Sequence, residues 1–171
     1  EFHANTIEGL LHSFSGFDVR YALKKWRHEN YAKHLIEWLP EFSLKASEIV
    51  NILAHNAKAI LARSISTFSD SELPRDRLIA ELILHSILRS RQDSEPVACK
   101  VFYKSADKLS EFGNAHIVQM PDQDDQLWLG LARLIKANDM DTTLEQIREI
   151  LDETISETVL SAEREIIISL R

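Results

Sequence analysis

Four segments between residues 75 and 131 decide the fold of this chain: RDRLIAELILHSILR at 75–89, VACKVFY at 97–103, AHIVQM at 115–120 and QLWLGL at 126–131. The first segment is apolar on most sides at helical spacing, which predicts a buried helix. The other three are short, rich in β-forming residues and separated by turn residues, which is typical of strands. Together they predict an α/β fold with a small central mixed sheet of about three or four strands, one face of which the helix covers.

The segments outside this core predict helices. In the N-terminal part, residues 1–66, helical periodicity marks 5–15, 18–39 and 43–66, and Pro40 is expected to end the second of these helices. A C-terminal helical part, 142–171, begins with the capping-box sequence TTLE at 142–145. A length of 171 residues fits one domain, which we divide into the N-terminal helices, an α/β core over 75–135 and the C-terminal helices.

Composition limits the class of protein. No apolar run approaches the roughly 18 residues of a membrane span, and no charged segment precedes an apolar stretch near the start. We therefore expect a cytoplasmic protein with no membrane partner. The single cysteine, Cys99, is either a half-buried hydrophobe or a catalytic thiol without a signature around it.

The charge is unevenly distributed. A net charge of −7 argues against a general nucleic-acid-binding protein. Residues 20–34 are nevertheless basic, and this segment is either a solvated face or a local phosphate-binding surface. Its candidate nucleic-acid-binding residues are Lys24, Lys25, Arg27 and Lys33.

Common catalytic signatures are missing from the sequence: it has no Walker loop, CxxC, HExxH or GxSxG. An ordered set of landmarks remains. The helical segment carries Glu81, the first strand ends in Tyr103-Lys104, a turn leads to His116, and the last strand reads LWLG at 127–130. This order resembles the HamA-type family, the nuclease-like component of Hachiman anti-phage defence systems.

The resemblance implies a fold and an activity. Members of that family look like restriction-type PD-(D/E)xK nucleases, with a helical glutamate, a YK-like pair, a G-x-D-x-x-H-like turn and a strand reading L-W-x-G-E-x-K. It therefore implies a restriction-endonuclease-like core, DNA as the target and a helicase as the partner protein. On this resemblance the site positions are Glu81, Lys104, Asn114, His116, Leu131 and Arg133.

Three of these positions depart from the family pattern. Asn114 stands where the family places an aspartate, while Leu131 and Arg133 replace the glutamate and lysine of E-x-K. Such a site needs clustered carboxylates to hold Mg²⁺ beside the scissile phosphate. Leucine offers no ligand and arginine cannot act as a base. We therefore expect no metal at the usual place, Mg²⁺ being required only if the nuclease site works, and a domain that cuts DNA weakly or not at all.

Several alternatives stay open. The landmarks are a chance match in an ordinary strand, a family fold with a degenerate site, or an active site that uses shifted acids such as Asp122, Asp124 or Asp125. His116 is either a hydrogen-bonded structural residue or part of a metal-binding cluster with Glu81 and His85. A different class of function is a helical protein–protein interaction module, or an oligomerising structural domain, without a nucleic-acid role; its basic segment 20–34 and acidic C-terminal helix would be complementary docking faces, including between copies of the chain.

The family reading makes one geometric prediction. Residues 97–104, 115–120 and 126–132 should be adjacent strands with helix 75–89 packed on them. Glu81 should then face Asn114 and Arg133, and the arginine would supply a counter-charge in place of a metal.

Overall fold

The computed structural model describes residues 16–17, 21–22, 25–49, 53, 55–71, 73–99, 114–120, 124–135 and 140–154. Two short strands come first, β1 (Tyr21–Ala22) and β2 (Lys25–Trp26). Four helices follow: α1 (His28–Ser43), α2 (Ala46–Ile49), α3 (Ala57–Ser69) and α4 (Arg75–Arg91). Three strands, β3 (Ser94–Cys99), β4 (Asn114–Val118) and β5 (Gln126–Gly130), precede helix α5 (Met140–Thr154).

The three later strands form one sheet in the order β3-β4-β5. Both pairings are antiparallel, with His116 opposite Pro96 on one side and Trp128 on the other. The α/β prediction is confirmed, but the described sheet is antiparallel rather than mixed. Strands β3, β4 and β5 begin within three residues of the predicted starts at 97, 115 and 126. Residues 100–104 of the first predicted strand lie outside the described residues. A restriction-endonuclease-like topology stays a prediction. The β3–β4 register shifts between Pro96 and Ala98, which fits a proline on a strand paired on one side only in the described sheet.

Helix α4 is the buried helix that the sequence predicts. Its fully or nearly fully buried residues are Leu78, Ala80, Glu81, Leu82, His85 and Ser86. It begins directly after Pro74, whose carbonyl accepts a hydrogen bond from the Leu78 N–H at 3.0 Å. Leu78 and Leu82 join Val118 of β4 among the buried apolar residues, so the polar Glu81 and His85 are carried into the interior by the helix on which they lie.

The predicted helix over 18–39 is wrong at both ends. Strands β1 and β2 pair antiparallel, with Tyr21 as the register partner of Trp26, as suits two aromatic residues with strand preference. At the other end, α1 continues past Pro40 to Ser43. The proline removes one helical hydrogen bond, but its carbonyl still accepts the Leu44 N–H at 2.9 Å, and burial of Phe42 and Leu44 offsets the loss.

The predicted helix over 43–66 is interrupted. In the structure α2 ends at Ile49 and α3 begins at Ala57. Between them the Leu53 N–H donates to the Asn56 side-chain oxygen at 2.7 Å, and the Asn56 N–H donates to the Leu53 carbonyl at 3.0 Å. An asparagine side chain that satisfies nearby backbone groups competes with the helix, which explains the turn.

The chain divides into two compact units, Glu1–His34 and Leu35–Arg171. The assignment of all residues to one domain, with its parts 1–66, 75–135 and 142–171, stays a prediction. Helix α5 starts two residues before the predicted C-terminal helical part. The predictions over 5–15 and 155–171 lie outside the described residues. Among the described helices, none has both the length and the apolar composition needed to cross a bilayer.

Candidate functional site

Glu81 is a fully buried carboxylate whose two oxygens both have partners. The Asn114 side-chain amide donates to Glu81 Oε2 at 2.8 Å and to the Glu81 backbone carbonyl at 3.1 Å. The backbone N–H of Ala132 donates to Oε1 at 3.4 Å, and the Arg133 guanidinium lies 3.7 Å from the same oxygen. An amide, a peptide group and a cation therefore surround the carboxylate.

Helix α4 and strand β4 bring these residues together because their side chains are spaced at nearly the same distance along the helix and along the strand. Glu81 and His85 are four apart on the helix, about 6 Å along its axis. Asn114 and His116 are two apart on the strand and share one face, about 7 Å apart. The repeats nearly coincide, so Asn114 reaches Glu81 while the rings of His116 and His85 lie 5.2 Å apart.

Gly130 allows the end of β5 to approach α4 and β4 closely. It is the register partner of Asn114. A Cβ atom at this position would lie 2.8 Å from Leu84 Cδ2 and 3.2 Å from Asn114 Cβ. A side chain here would require the Leu84 side chain to rotate and Asn114 to shift by a few tenths of an ångström.

Strand β5 ends at Gly130, two residues earlier than predicted, and 131–135 have no regular structure. Because β5 ends at Gly130, the Ala132 N–H lies outside the strand pairing and donates to Glu81. Arg133 is only 28% exposed, and its guanidinium also donates to the Ala132 carbonyl at 2.9 Å. Leu131, at the position of the family glutamate, is half-buried and offers no polar group.

The arrangement can hold a charge but does not fit a divalent cation. Mg²⁺ takes oxygen ligands, usually including one or two carboxylates, in near-octahedral geometry. Here one carboxylate is present, and an arginine occupies its neighbourhood. Within the described ranges, no group of three or more His, Cys, Asp or Glu side chains could hold a metal ion. The residues present do not match the metal site that the family resemblance implies.

A second buried polar cluster lies one helical turn further along α4. The Ser94 hydroxyl is 3.3 Å from His116 Nδ1, and the His85 ring contacts Phe42 and Trp38 edge-on at 5.7 and 6.1 Å. Both histidines are fully buried. Glu41 lies beside His85: its Oε2 is 4.0 Å from His85 Nε2, and its Oε1 accepts from Arg89 at 2.7 Å.

Burial keeps both imidazoles neutral. Desolvation, reinforced by His116 and Arg89, lowers the pKa of His85 to about 3. Desolvation and Arg89 lower the pKa of His116 to about 4. The Glu41 carboxylate is too far from His85 for a hydrogen bond, and burial raises the pKa of Glu41 although Arg89 opposes the shift. This cluster is therefore a neutral, packed part of the core.

The remaining candidate residues lie elsewhere or outside the described residues. Lys25, Arg27 and Lys33 are exposed in the first unit, on β2, the following link and α1. Asp124 and Asp125 are exposed before β5. Outside the described residues lie Lys24, Lys104 and Asp122, and the Cys99 side chain is not described either.

The predicted proximity of Glu81 to Asn114 and Arg133 is confirmed. The rings of His85 and His116, whose proximity was left open, lie 5.2 Å apart. The sequence did not point to Glu41, Ser94 or the Ala132 N–H, and Gly130 entered only as part of the LWLG landmark. Glu41 follows Pro40, at which local rules end the helix, so periodicity does not place it on α1. Gly130 carried a signal, since an isolated glycine in a strand often marks a close backbone approach.

Comparison with known proteins gives one family and one curated relative. The HamA family model matches residues 2–171. Anti-bacteriophage protein A of Escherichia coli (strain K12) is 29% identical over 150 residues, which cover 86% of this chain and 28% of that protein. The chain thus spans just over a quarter of the length of that relative. No solved structure matches it.

Proposed function

The chain belongs to the HamA family, and from this membership we propose that it is an anti-phage defence protein whose nuclease-like core cuts DNA weakly or not at all. The name of the E. coli relative, an anti-bacteriophage protein, supports the defence role. The chemistry of the Glu81 site supports the lack of cleavage.

One observation supports the proposal that the domain cuts DNA weakly or not at all. Glu81 is the one carboxylate at the family's site positions, and Asn114, Ala132 and Arg133 engage both of its oxygens in a site closed to solvent. A metal would have to displace the guanidinium and then find further oxygen ligands, because Leu131 supplies none. Buried charges persist when they are paired and hydrogen-bonded, and this pairing meets the requirement without a metal.

A protein that does not cut DNA contributes to defence by binding. The proposed nucleic-acid surface is the basic segment of the first unit, where Lys25, Arg27 and Lys33 are exposed. The proposed partner, by family resemblance, is a helicase encoded beside this chain, which would supply the work on DNA.

Cleavage assays test the catalytic claim. The purified protein is incubated with plasmid and Mg²⁺ or Mn²⁺, and no cleavage above a no-protein control is expected. Robust cleavage that a folded Glu81→Gln variant loses would overturn the proposal. A gain-of-site variant, Asn114→Asp/Leu131→Glu/Arg133→Lys, should be stabilised against thermal unfolding by Mg²⁺. The natural chain should show no such stabilisation; if it shows the same, the argument from missing ligands is wrong.

Fluorescence anisotropy with labelled duplex and single-stranded DNA tests the binding claim. Arg27→Glu/Lys33→Glu should weaken binding at low salt by at least about tenfold, as expected when two phosphate contacts are lost. The matched control, Lys58→Glu/Arg75→Glu, makes the same charge change at exposed positions elsewhere. Absence of DNA binding by the natural chain at low salt would instead favour the interaction module without a nucleic-acid role.

Phage protection separates the two roles in cells. With the neighbouring gene present, Glu81→Gln should keep protection to the extent that the protein folds, whereas Arg27→Glu/Lys33→Glu should lose it. The efficiency of plating measures protection, and immunoblotting of soluble protein is the control for folding. Loss of protection by a well-folded Glu81→Gln variant would point to catalysis. Co-purification with the product of the neighbouring gene tests the partner.

A further inference from the structure

Helix α5 has an apolar face that is open to solvent. Met140, Leu144, Ile147 and Leu151 are 71, 55, 38 and 49% exposed. Their spacing is four, three and four residues, which is the a/d repeat of a helix that packs against another helix along a seam. Ile150, at the flanking g position, is half-buried and adds to this face. The a/d spacing of the exposed residues indicates that a helix is the occupant of this face.

The charges beside the seam indicate which helix packs against α5. With Met140 and Ile147 at d positions and Leu144 and Leu151 at a positions, Asp141 and Arg148 both fall at e, along one flank. They have opposite signs. The other four acids fall at the outer b, c and f positions of the repeat: Glu145, Glu149, Asp152 and Glu153. The net acidity of the helix is therefore no obstacle to pairing with a copy of itself.

We propose that α5 pairs with α5 of a second copy of this chain in antiparallel orientation. Met140 would then pack beside Leu151 of the second copy, and Leu144 beside its Ile147, which gives four apolar layers. In antiparallel pairs e positions meet e positions, so Asp141 would face the second copy's Arg148 twice, once at each end. A parallel pair would place Arg148 opposite Thr143, which carries no charge.

Arg148 is available for this contact. Its guanidinium lies 3.7 Å from Asp152 of the same helix, and the two side chains are 83 and 74% exposed. Exposed ion pairs of this kind contribute little to stability. Arg148 can therefore leave Asp152 and pair with Asp141 of the second copy at little cost in free energy. The seam is short, and interfaces below about 1,200 Å² are weak and transient. We expect a dimer with a Kd of roughly 10–100 µM.

Charge reversal tests the pairing without removing any apolar residue. In sedimentation equilibrium the natural chain should shift with concentration from 19.6 kDa toward twice that mass. Asp141→Arg and Arg148→Asp should each stay monomeric, because like charges then meet at both ends. An equimolar mixture of the two variants should form heterodimers, and Asp141→Arg/Arg148→Asp in one chain should restore the homodimer.

The control is Glu149→Arg, a charge reversal at the outer position opposite the seam, which should dimerise as the natural chain does. Circular dichroism of each variant confirms that the exposed changes leave the fold intact. A natural chain that stays monomeric up to several times the expected Kd overturns the proposal, and so does a mixture that fails to associate. These outcomes are independent of DNA binding or cleavage, and the proposal does not rest on the proposed function.

Discussion

Removal of the Arg133 guanidinium tests whether an ion pair stabilises the buried Glu81. Arg133→Met keeps the length and the apolar stem of the side chain and deletes the charge. Glu81 would then stay fully buried with one neutral side-chain donor, Asn114, and the Ala132 N–H. Loss of one partner from a buried pair is costly because the charge left behind is uncompensated.

The geometry sets the size of the effect. Two unit charges at the observed 3.7 Å attract each other by about 4 kcal/mol at an effective dielectric constant of 20. Arg133 is 28% exposed, so water screens part of this attraction. We therefore expect Arg133→Met to lower the free energy of unfolding by about 2 kcal/mol, which corresponds to a fall in Tm of about 4–8 °C for a chain of this size.

Urea unfolding of Arg133→Met, Glu81→Gln and the double variant measures the coupling between the two side chains. Each single change should cost about 2 kcal/mol, and the double variant about 1–2 kcal/mol less than their sum. Arg63→Met is the control, because Arg63 pairs with Glu48 while 65% exposed, and its loss should cost less than about 0.5 kcal/mol. If Arg133→Met costs no more than this control, Arg133 does not compensate the buried carboxylate.

Three further effects follow from the packing. Gly130→Ala should destabilise the chain by about 1–3 kcal/mol in urea unfolding, because its Cβ would meet Leu84 at 2.8 Å and Asn114 at 3.2 Å; unchanged stability would mean that these two side chains shift without cost. Burial lowers the pKa of His85 from 6.5 to about 3 and that of His116 to about 4. Below pH 6.5 the unfolded chain therefore binds protons that the folded chain does not bind. The contribution of the two histidines to stability should be full above pH 6.5 and should fall between pH 6.5 and 3. His116→Gln should flatten that fall, and an unchanged pH profile would contradict the assignment. Phe42→Ala, at a fully buried ring, should cost about 3–5 kcal/mol in the same unfolding assay, and a cost below about 1 kcal/mol would show that the site collapses around the loss.

The α/β core could be predicted from the sequence because the patterns that mark its helix and strands are local and strong. Residues 75–89 have an apolar periodicity that only a buried helix explains, and the three strands stand out by β-forming residues between turns. Glu81, Asn114 and Arg133 were placed by their order along the chain, and that order survives in the contacts.

The helices of the N-terminal part could not be predicted in the same way, because tertiary burial and side-chain hydrogen bonds decide where they begin and end. Pro40 is a helix breaker by local rules, yet Phe42 and Leu44 are buried behind it and α1 continues. Asn56 ends a helical pattern by bonding to the Leu53 backbone, which periodicity does not reveal. The cluster around His85 was only half predicted, since Glu41 lies beyond the proline at which α1 was expected to end.

A buried carboxylate needs positive charge and donors around it, and a metal or an arginine with an amide can supply them. In this chain the second solution is present, and it holds α4 against β4, because Asn114 bonds to both the side chain and the backbone of Glu81. On the proposed function, the landmark residues of the family are kept here for structural reasons. It follows that loss of activity in Glu81→Ala alone is no evidence of catalysis, because that change also empties the site and removes the acceptor for Asn114. Glu81→Gln is the sharper variant, since it keeps the volume and one acceptor oxygen and removes the charge on which metal binding would depend, while its NH2 group replaces the second acceptor.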